Sequence, residues 1–212
     1  MMTEPPSVLE DPPVSFEPNQ SPIVIKVGGS LFDWPDFKSR LQQFLASLGD
    51  RCIVLVPGGG RSADVIREFD RVHQLGEEPA HWLALRALTL NAHFLATLLG
   101  VQVVEGLNAA RSAFRRNKIT AIDPFRFASG DDSRPEHLPH CWDATSDSVA
   151  ARVAHVAEAE RLILLKSATI PPGLSWEECG KQGFVDRLFA RTIAGGKFAV
   201  ECVNLREWGG AK

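Results

Sequence analysis

The chain has 212 residues, 44% hydrophobic and 23% charged, with a net charge of −3 at neutral pH. That suits one globular domain with a substantial core, and it leaves no basic footprint for nucleic acid. Four dispersed cysteines without a C-x-x-C pair argue for a reduced, cytoplasmic setting rather than a disulfide scaffold or zinc site, and no apolar run approaches the roughly 18 residues of a membrane span.

Residues 1–21 are acidic and proline-rich and read as a flexible arm before a single domain over 22–212. Ile23 to Val27 is an apolar strand that empties into Gly28-Gly29-Ser30. Phe37, Leu41, Phe44, Leu45 and Leu48 follow at helical spacing, closed by Gly49-Asp50. Ile53 to Val56 is a second strand, running into Pro57 and Gly58-Gly59-Gly60. The helix after it starts near Ser62 and carries Val65, Ile66, Phe69 and Val72. His81 to Leu99 is a longer helix ended by Gly100, and Val101 to Val104 a third strand. A basic surface helix at Arg111 to Arg116 precedes a fourth strand, Ile119 to Ile122. Residues 130–139 form a polar loop. Then come a helix from about Ser146, the strand Leu162 to Leu165, a Pro/Gly loop at 171–173 and a last strand from Phe198 to Val203. Strands separated by helices throughout argue for a mostly parallel sheet covered on both faces. Ligands of such sheets bind beyond the carboxyl ends of the strands, where every glycine turn and lysine below falls.

Glycine turns before helices let a backbone approach an anion, and helix starts offer unpaired N–H groups. They also serve simply as tight turns, and neither is a Walker loop or a G-x-G-x-x-G fingerprint. Lys26 is more telling. An ammonium inside a five-residue apolar strand is destabilising by several kcal/mol, roughly, unless it meets an anion or an edge. Lys166 repeats the arrangement at the end of its strand. Asp147, in the first turn of the intervening helix, can hold both lysines or complement the helix dipole. Thr145 and Ser146 read as capping residues. Asp64 and Arg67, one turn apart, suit an amine and a phosphate if they face a ligand, as Arg86 does more weakly. Trp142 suits either a ring-flanking or a core position. The six histidines show no ligand spacing, so no metal cage is expected.

K-V-G-G-S at Lys26 to Ser30, P-G-G-G at Pro57 to Gly60, and T-S-D-S at Thr145 to Ser148 with L-L-K-S after it resemble the amino acid kinase superfamily. G-G-G-R-S-A-D-V-I-R, W-D-A-T-S-D-S-V-A-A and G-F-V-D-R-L-F are most similar to the small kinases that convert aminomethyl-furanmethyl phosphate to its diphosphate in methanofuran-type cofactor synthesis. The resemblance covers residues 22–204. It implies an α/β fold, a three-layer α-β-α sandwich with an open sheet of about eight strands. An acceptor half over about 22–140 would precede a nucleotide half over about 141–212.

It further implies phosphoryl transfer from ATP, with Mg²⁺ carried on the ATP phosphates, to a small acceptor; a nucleoside monophosphate, isopentenyl phosphate or a carboxylate are alternatives, as is a non-catalytic ligand-binding role. Lys26, Asp147 and Lys166 would form the catalytic set. Gly28, Gly29, Ser30, Gly59, Gly60, Ser146 and Arg187 would bind phosphate or nucleotide, and Gly58, Asp64 and Arg67 the acceptor. Homo-oligomers are usual in the superfamily. Two departures fall in the nucleotide half. The G-G-M-x-x-K lysine is replaced by Arg187 in Q-G-F-V-D-R, so either Arg187 or Lys166 must complete the site. The T-x-V-D-G loop is reduced to A-T-I-P-P-G at Ala168 to Gly173.

Overall fold

A computed structural model describes residues 21–210, so the arm lies, apart from Ser21, outside the described residues. The six apolar runs of the sequence are all strands: β1 Ile23–Val27, β2 Ile53–Pro57, β3 Gln102–Val104, β4 Ile119–Ile122, β5 Arg161–Lys166 and β6 Ala199–Asn204. The helices are α1 Phe37–Ser47, α2 Gly60–His73, α3 Glu77–Leu99, α4 Leu107–Ala113, α5 Pro124–Asp131, α6 Ser146–Val156, α7 Trp176–Lys181 and α8 Phe189–Ile193, with one 3-10 turn at Gly29–Leu31. The strands form one sheet in the order β3-β4-β2-β1-β5-β6, and every pairing is parallel.

Six described strands correct the expected eight. The larger number came from the resemblance, not from the residues. Between β5 and β6 the chain supplies a capping box instead of a strand pattern: Ser175 Oγ accepts from the Glu178 amide, and Glu178 accepts from the Ser175 amide. Two short helices, α7 and α8, result.

The pleat sorts the strands into two cores. Ile23, Ile25, Val27, Ile163 and Leu165 pack under α1 and the C-terminal part of α3, with Leu41, Phe44 and Leu95. Val24, Val54, Val56, Leu162 and Leu164 pack under α6, with Val149 and Val153. The sheet is the middle layer of an α-β-α sandwich. Among the described helices α3 is the one long and apolar enough to cross a membrane, yet Leu85 and Leu88 join the α6-side core and Ala92, Leu95 and Ala96 the other.

Helix α2 departs from its apolar pattern. It buries only Ala63, while Val65, Phe69 and Val72 are 48%, 50% and 54% exposed. Its partners are α3 and the 3-10 turn rather than the sheet, so its apolar stripe faces outward. Leu83, Leu90 and Phe94 are likewise exposed on α3. The expected loop at 130–139 also starts later, because Asp123 caps α5 through the Arg126 amide and Pro124 fits its first turn.

Past α5, a strap over residues 132–142 returns to α6. Its anchor is a buried ion pair: Arg152 of α6 donates to both carboxylate oxygens of Asp131, at 2.6 and 3.0 Å, and to the Pro135 carbonyl at 3.1 Å. Removing one member leaves a buried charge without its counterion. Arg152→Met or Asp131→Leu alone should therefore lower the unfolding free energy by about 3–5 kcal/mol. The double substitution should recover most of that loss. Urea unfolding of the four proteins checks the cycle; additive losses would contradict it.

Candidate active site

The register of the central strands builds the site. Lys26 pairs with Val56 on one side and Leu164 on the other, so its side chain shares the α6 face with Val24. Lys166 lies two residues beyond Leu164 on that face, one pleat period of roughly 6.6 Å farther along. Helix α6 begins above this line, and Asp147 in its first turn fills the gap. Lys26 Nζ stands 3.0 Å from Asp147 Oδ1, and Lys166 Nζ lies 2.8 Å from both carboxylate oxygens. Lys26 and Asp147 are each 5% exposed.

Burial by itself would raise the Asp147 carboxyl, but Lys26 and then Lys166 outweigh it and hold the group below its ordinary range. Burial, reinforced by the Lys26 charge, moves the Lys166 ammonium below the ordinary lysine range against the pull of Asp147.

Around this cluster the two glycine turns interlock. A Cβ on Gly29 would lie 2.2 Å from the Gly60 nitrogen, and one on Gly58 would lie 2.4 Å from the Gly29 nitrogen. Asn91 of α3 fastens the second turn, donating to the carbonyls of Gly58 at 2.8 Å and Gly59 at 2.7 Å. Two glycine assignments change as a result. The Gly28 amide donates to the Leu165 carbonyl at 2.8 Å and the Gly58 amide to the Val27 carbonyl at 2.7 Å, which extends the sheet and leaves neither for a ligand. Gly29 and Gly60 instead head the 3-10 turn and α2, where first-turn amides have no helical acceptor.

A cavity of about 270 Å³ opens above the cluster. Lys26, Gly29, Gly59, Gly60, Asp64, Arg67, Ser146 and Asp147 of the sequence-derived set line it. Arg67 donates to Asp64 at 2.7 Å and lies 5.1 Å from the Trp142 ring centroid; Trp142 also lines the cavity and donates to Asp70 at 2.8 Å. Ala84, Leu85 and Leu88 of α3 supply apolar floor. Arg86 leaves the site and stacks over Phe125 at 3.8 Å. Ser30 and Lys166 are not among the lining residues; Ser30 Oγ is 2.8 Å from Ser167 Oγ.

Arg187 is not brought to the cluster. Its side chain is 79% exposed, 3.9 Å from Asp143. Its neighbour Asp186 turns inward and accepts from the Thr145 amide at 3.1 Å, the Thr145 hydroxyl at 2.8 Å, the Ser148 amide at 2.9 Å and the Ser148 hydroxyl. Thr145 makes no cap of its own; Asp186 caps α6 from across the fold. Burial, then the nearby Asp147 charge, raises the Asp186 carboxyl above its usual range against these donors. Nothing in Q-G-F-V-D-R marks its aspartate over its arginine, since the cap is a contact across 38 residues.

The sequence also passed over His81. It lines the cavity at 4% exposure, with Nδ1 3.2 Å from the Cys141 carbonyl, and burial keeps it below the ordinary histidine range.

A model of the amino acid kinase family matches residues 21–169. A curated relative, [5-(aminomethyl)furan-3-yl]methyl phosphate kinase of Methanocaldococcus jannaschii, is 25% identical over 142 residues, 66% of this chain and 63% of that protein. The match thus spans less than two thirds of that relative's length. Uridylate kinase from Archaeoglobus fulgidus superposes with a TM-score of 0.61 at 17% identity, over 84% of this chain and 88% of that one. UMP kinase from Ureaplasma parvum gives 0.63 at 14%, over 89% and 91%. Aspartate kinase from Synechocystis gives 0.62 at 12%, over 89% of this chain and 38% of its own. At these identities the structural likeness is one of fold.

The carboxylate of Asp147 carries a pH signature. Its lowered native value means that its stabilisation is present above the unfolded value, about 3.9, and is lost as the pH falls through the native value. Asp147→Asn should be less stable than the parent at neutral pH by about 3–5 kcal/mol, since two buried ammonium groups lose their counterion. That gap should narrow as the pH drops below about 4. Urea unfolding across pH 2–7 measures it, and a pH-independent gap would contradict the ion cluster.

Proposed function

The chain belongs to the amino acid kinase family, and from that premise we propose that it transfers the γ-phosphoryl group of ATP to a small phosphorylated acceptor. The preferred acceptor is an aminomethyl-furanmethyl phosphate, giving the diphosphate. The observation that carries this reading is the buried Lys26–Asp147–Lys166 cluster, whose Lys26 and Asp147 line a cavity edged by glycine turns while Lys166 backs Asp147 from behind the lining. Two ammonium groups sharing one carboxylate leave a net positive charge where a phosphate would arrive. Such fixed charge is the main catalytic resource in phosphoryl transfer, which needs positioning and electrostatics more than covalent chemistry.

In this reading an oxygen of the acceptor phosphate attacks the γ-phosphorus in line. The new P–O bond forms as the bond to the β-phosphate bridging oxygen breaks, and ADP leaves. Lys26 stabilises the transferring oxygens, Asp147 fixes both lysines, and Lys166 rather than Arg187 completes the set. Gly29 and Gly60 offer their amides to the phosphates. Mg²⁺ would arrive on the nucleotide and neutralise phosphate oxygens; Asp147, engaged by both lysines, does not need to ligate it.

The cavity supports a small acceptor. Its volume of about 270 Å³ lies just below the usual ligand range of about 300–1,000 Å³. Arg67 suits the acceptor phosphate, Asp64 its amine, and Trp142 and His81 flank a planar ring. Most of the lining residues belong to the expected acceptor half, and Trp142, Ala144, Thr145, Ser146 and Asp147 reach it from the start of the nucleotide half.

ADP release with Mg-ATP and a panel of acceptors tests the proposal, the panel containing aminomethyl-furanmethyl phosphate, uridine monophosphate, isopentenyl phosphate and a carboxylate. Turnover is expected with the furan compound, and Lys26→Met should lower it by at least about 100-fold while circular dichroism stays unchanged. Turnover with another acceptor alone would discard the furan substrate. No turnover, with no thermal stabilisation by Mg-ATP, would favour a non-catalytic binding protein; a binder at 100 times its Kd gains about 2.7 kcal/mol.

We also propose a homo-oligomer that covers the outward stripes of α2 and α3. Val65, Phe69 and Val72 on one helix and Leu83, Leu90 and Phe94 on the other are exposed apolar side chains on two helices packed together, which a second copy would cover. Light scattering should show more than one copy, and Phe69→Asp with Leu90→Asp should yield a folded monomer. A monomeric parent would end that proposal.

A further inference from the structure

Beside the cavity, residues 132–140 of the strap gather side chains that the phosphoryl-transfer reading does not use. Asp132 leaves the end of α5, and Glu136 takes a left-handed conformation (φ 66°) that turns the chain back. His137 and His140 consequently converge on the carboxylate they left. His140 Nε2 is 2.7 Å from Asp132 Oδ1 and His137 Nδ1 is 3.5 Å from the same oxygen. One ligand atom from each residue lies within 4.8 Å of the other two.

We propose that Asp132, His137 and His140 form a binding site for a divalent transition-metal ion of the zinc type. Tetrahedral bonds of about 2.0–2.2 Å to imidazole nitrogen and carboxylate oxygen place ligand atoms about 3.4 Å apart. Rotation of the half-exposed His137 ring away from the Leu138 carbonyl, 3.1 Å from its Nδ1, brings the third ligand to that spacing. Two imidazoles and one carboxylate with a fourth position open to water is a donor set for zinc, cobalt or nickel. Magnesium favours all-oxygen sites, so the Mg²⁺ of a nucleotide does not compete.

A second observation points to a cation independently of the ligand spacing. The other nitrogen of His140, Nδ1, faces Glu78 Oε1 of α3 at 3.3 Å. His140 thus lies between two carboxylates. An outer carboxylate that accepts the ring N–H leaves the opposite nitrogen with its lone pair directed at the metal, the arrangement by which histidine ligands are oriented. Glu78 is therefore a positioning residue.

The site would brace one wall of the cavity. The His140 ring stacks on His81 with centroids 5.5 Å apart and lies 4.7 Å from the Trp82 ring. His81 reaches the Cys141 carbonyl, and Trp142, next along the strap, lines the cavity. A bound ion joins the start of the strap to its end and so fixes the segment that carries Trp142.

The test is titration of the metal-stripped full chain with Zn²⁺ against a chromogenic chelator, with Co²⁺ as the spectroscopic probe. One ion per chain should bind at micromolar concentration or below. The Co²⁺ adduct should show visible bands of nitrogen and oxygen ligation without thiolate charge transfer. His137→Ala and Asp132→Asn, both at half-exposed positions, should weaken binding more than 10-fold, and Glu78→Gln by about 10-fold, the range for lost outer partners. Hydrogen exchange of strap amides should slow with Zn²⁺ in the parent and not in His137→Ala. Absence of one-to-one binding at 100 micromolar Zn²⁺ would overturn the proposal. So would unchanged affinity in His137→Ala, or a site lost only in Cys141→Ser.

Discussion

An ammonium group in the central strand of a fully parallel sheet sets the terms for everything around it. Lys26 is flanked by β2 and β5 and covered by α6, so at 5% exposure water solvates it poorly. A buried lysine in that position loses its charge or finds an anion. Helix α6 answers with Asp147 at a first-turn position, where the helix dipole already favours a carboxylate. Lys166, one pleat period along the neighbouring strand, donates to both carboxylate oxygens. The start of α6 must then be held in register with the sheet, and Asp186 does this from a distant segment by accepting four hydrogen bonds from Thr145 and Ser148.

The glycine turns answer two demands at once. Their backbones touch so closely that a methyl group at Gly29 or Gly58 has no space, and this alone accounts for those glycines. The same contact brings the first-turn amides beside Lys26, at the rim of the cavity. Tight packing and anion binding are therefore one geometry. Only some of the amides take part: Gly28 and Gly58 spend theirs on lengthening the sheet, while Gly29 and Gly60 keep theirs in helix starts.

What the residues made legible was local or periodic. All six strands stood out as apolar runs, and Lys26 stood out because a charge interrupted one of them. Lys166 stood out at the end of another, and a first-turn aspartate was the natural partner; that both lysines share a face follows from the β1–β5 register. What stayed hidden depends on contacts between distant segments. Asp186 and Arg187 are neighbours with opposite fates, decided by where the start of α6 lies. The stripe on α2 has the periodicity of a buried face, yet the helix docks beside α3 and not on the sheet. Asp132, His137 and His140 lack regular ligand spacing, and only the reversal at Glu136 brings them together. The count of eight strands failed for another reason. It was carried over from a family pattern, whereas the chain's own residues mark six strands.

The cluster has an imbalance that bears on function. Asp147 answers two cations with one charge, so the three-residue cluster carries an excess of positive charge beside the cavity that Lys26 lines. Burial, reinforced by the Lys26 charge, holds Lys166 below the ordinary lysine range. In the proposed reaction an arriving phosphate would relieve the imbalance, and a transferring phosphoryl group would relieve it further as negative charge grows on the oxygens nearest Lys26. Only the second gain lowers a barrier, because stabilisation shared equally by bound substrate and transition state changes affinity and not turnover. A carboxylate fixed between two lysines meets that requirement, since it holds the cations in place before the charge develops and no reorganisation is left for the moment of transfer.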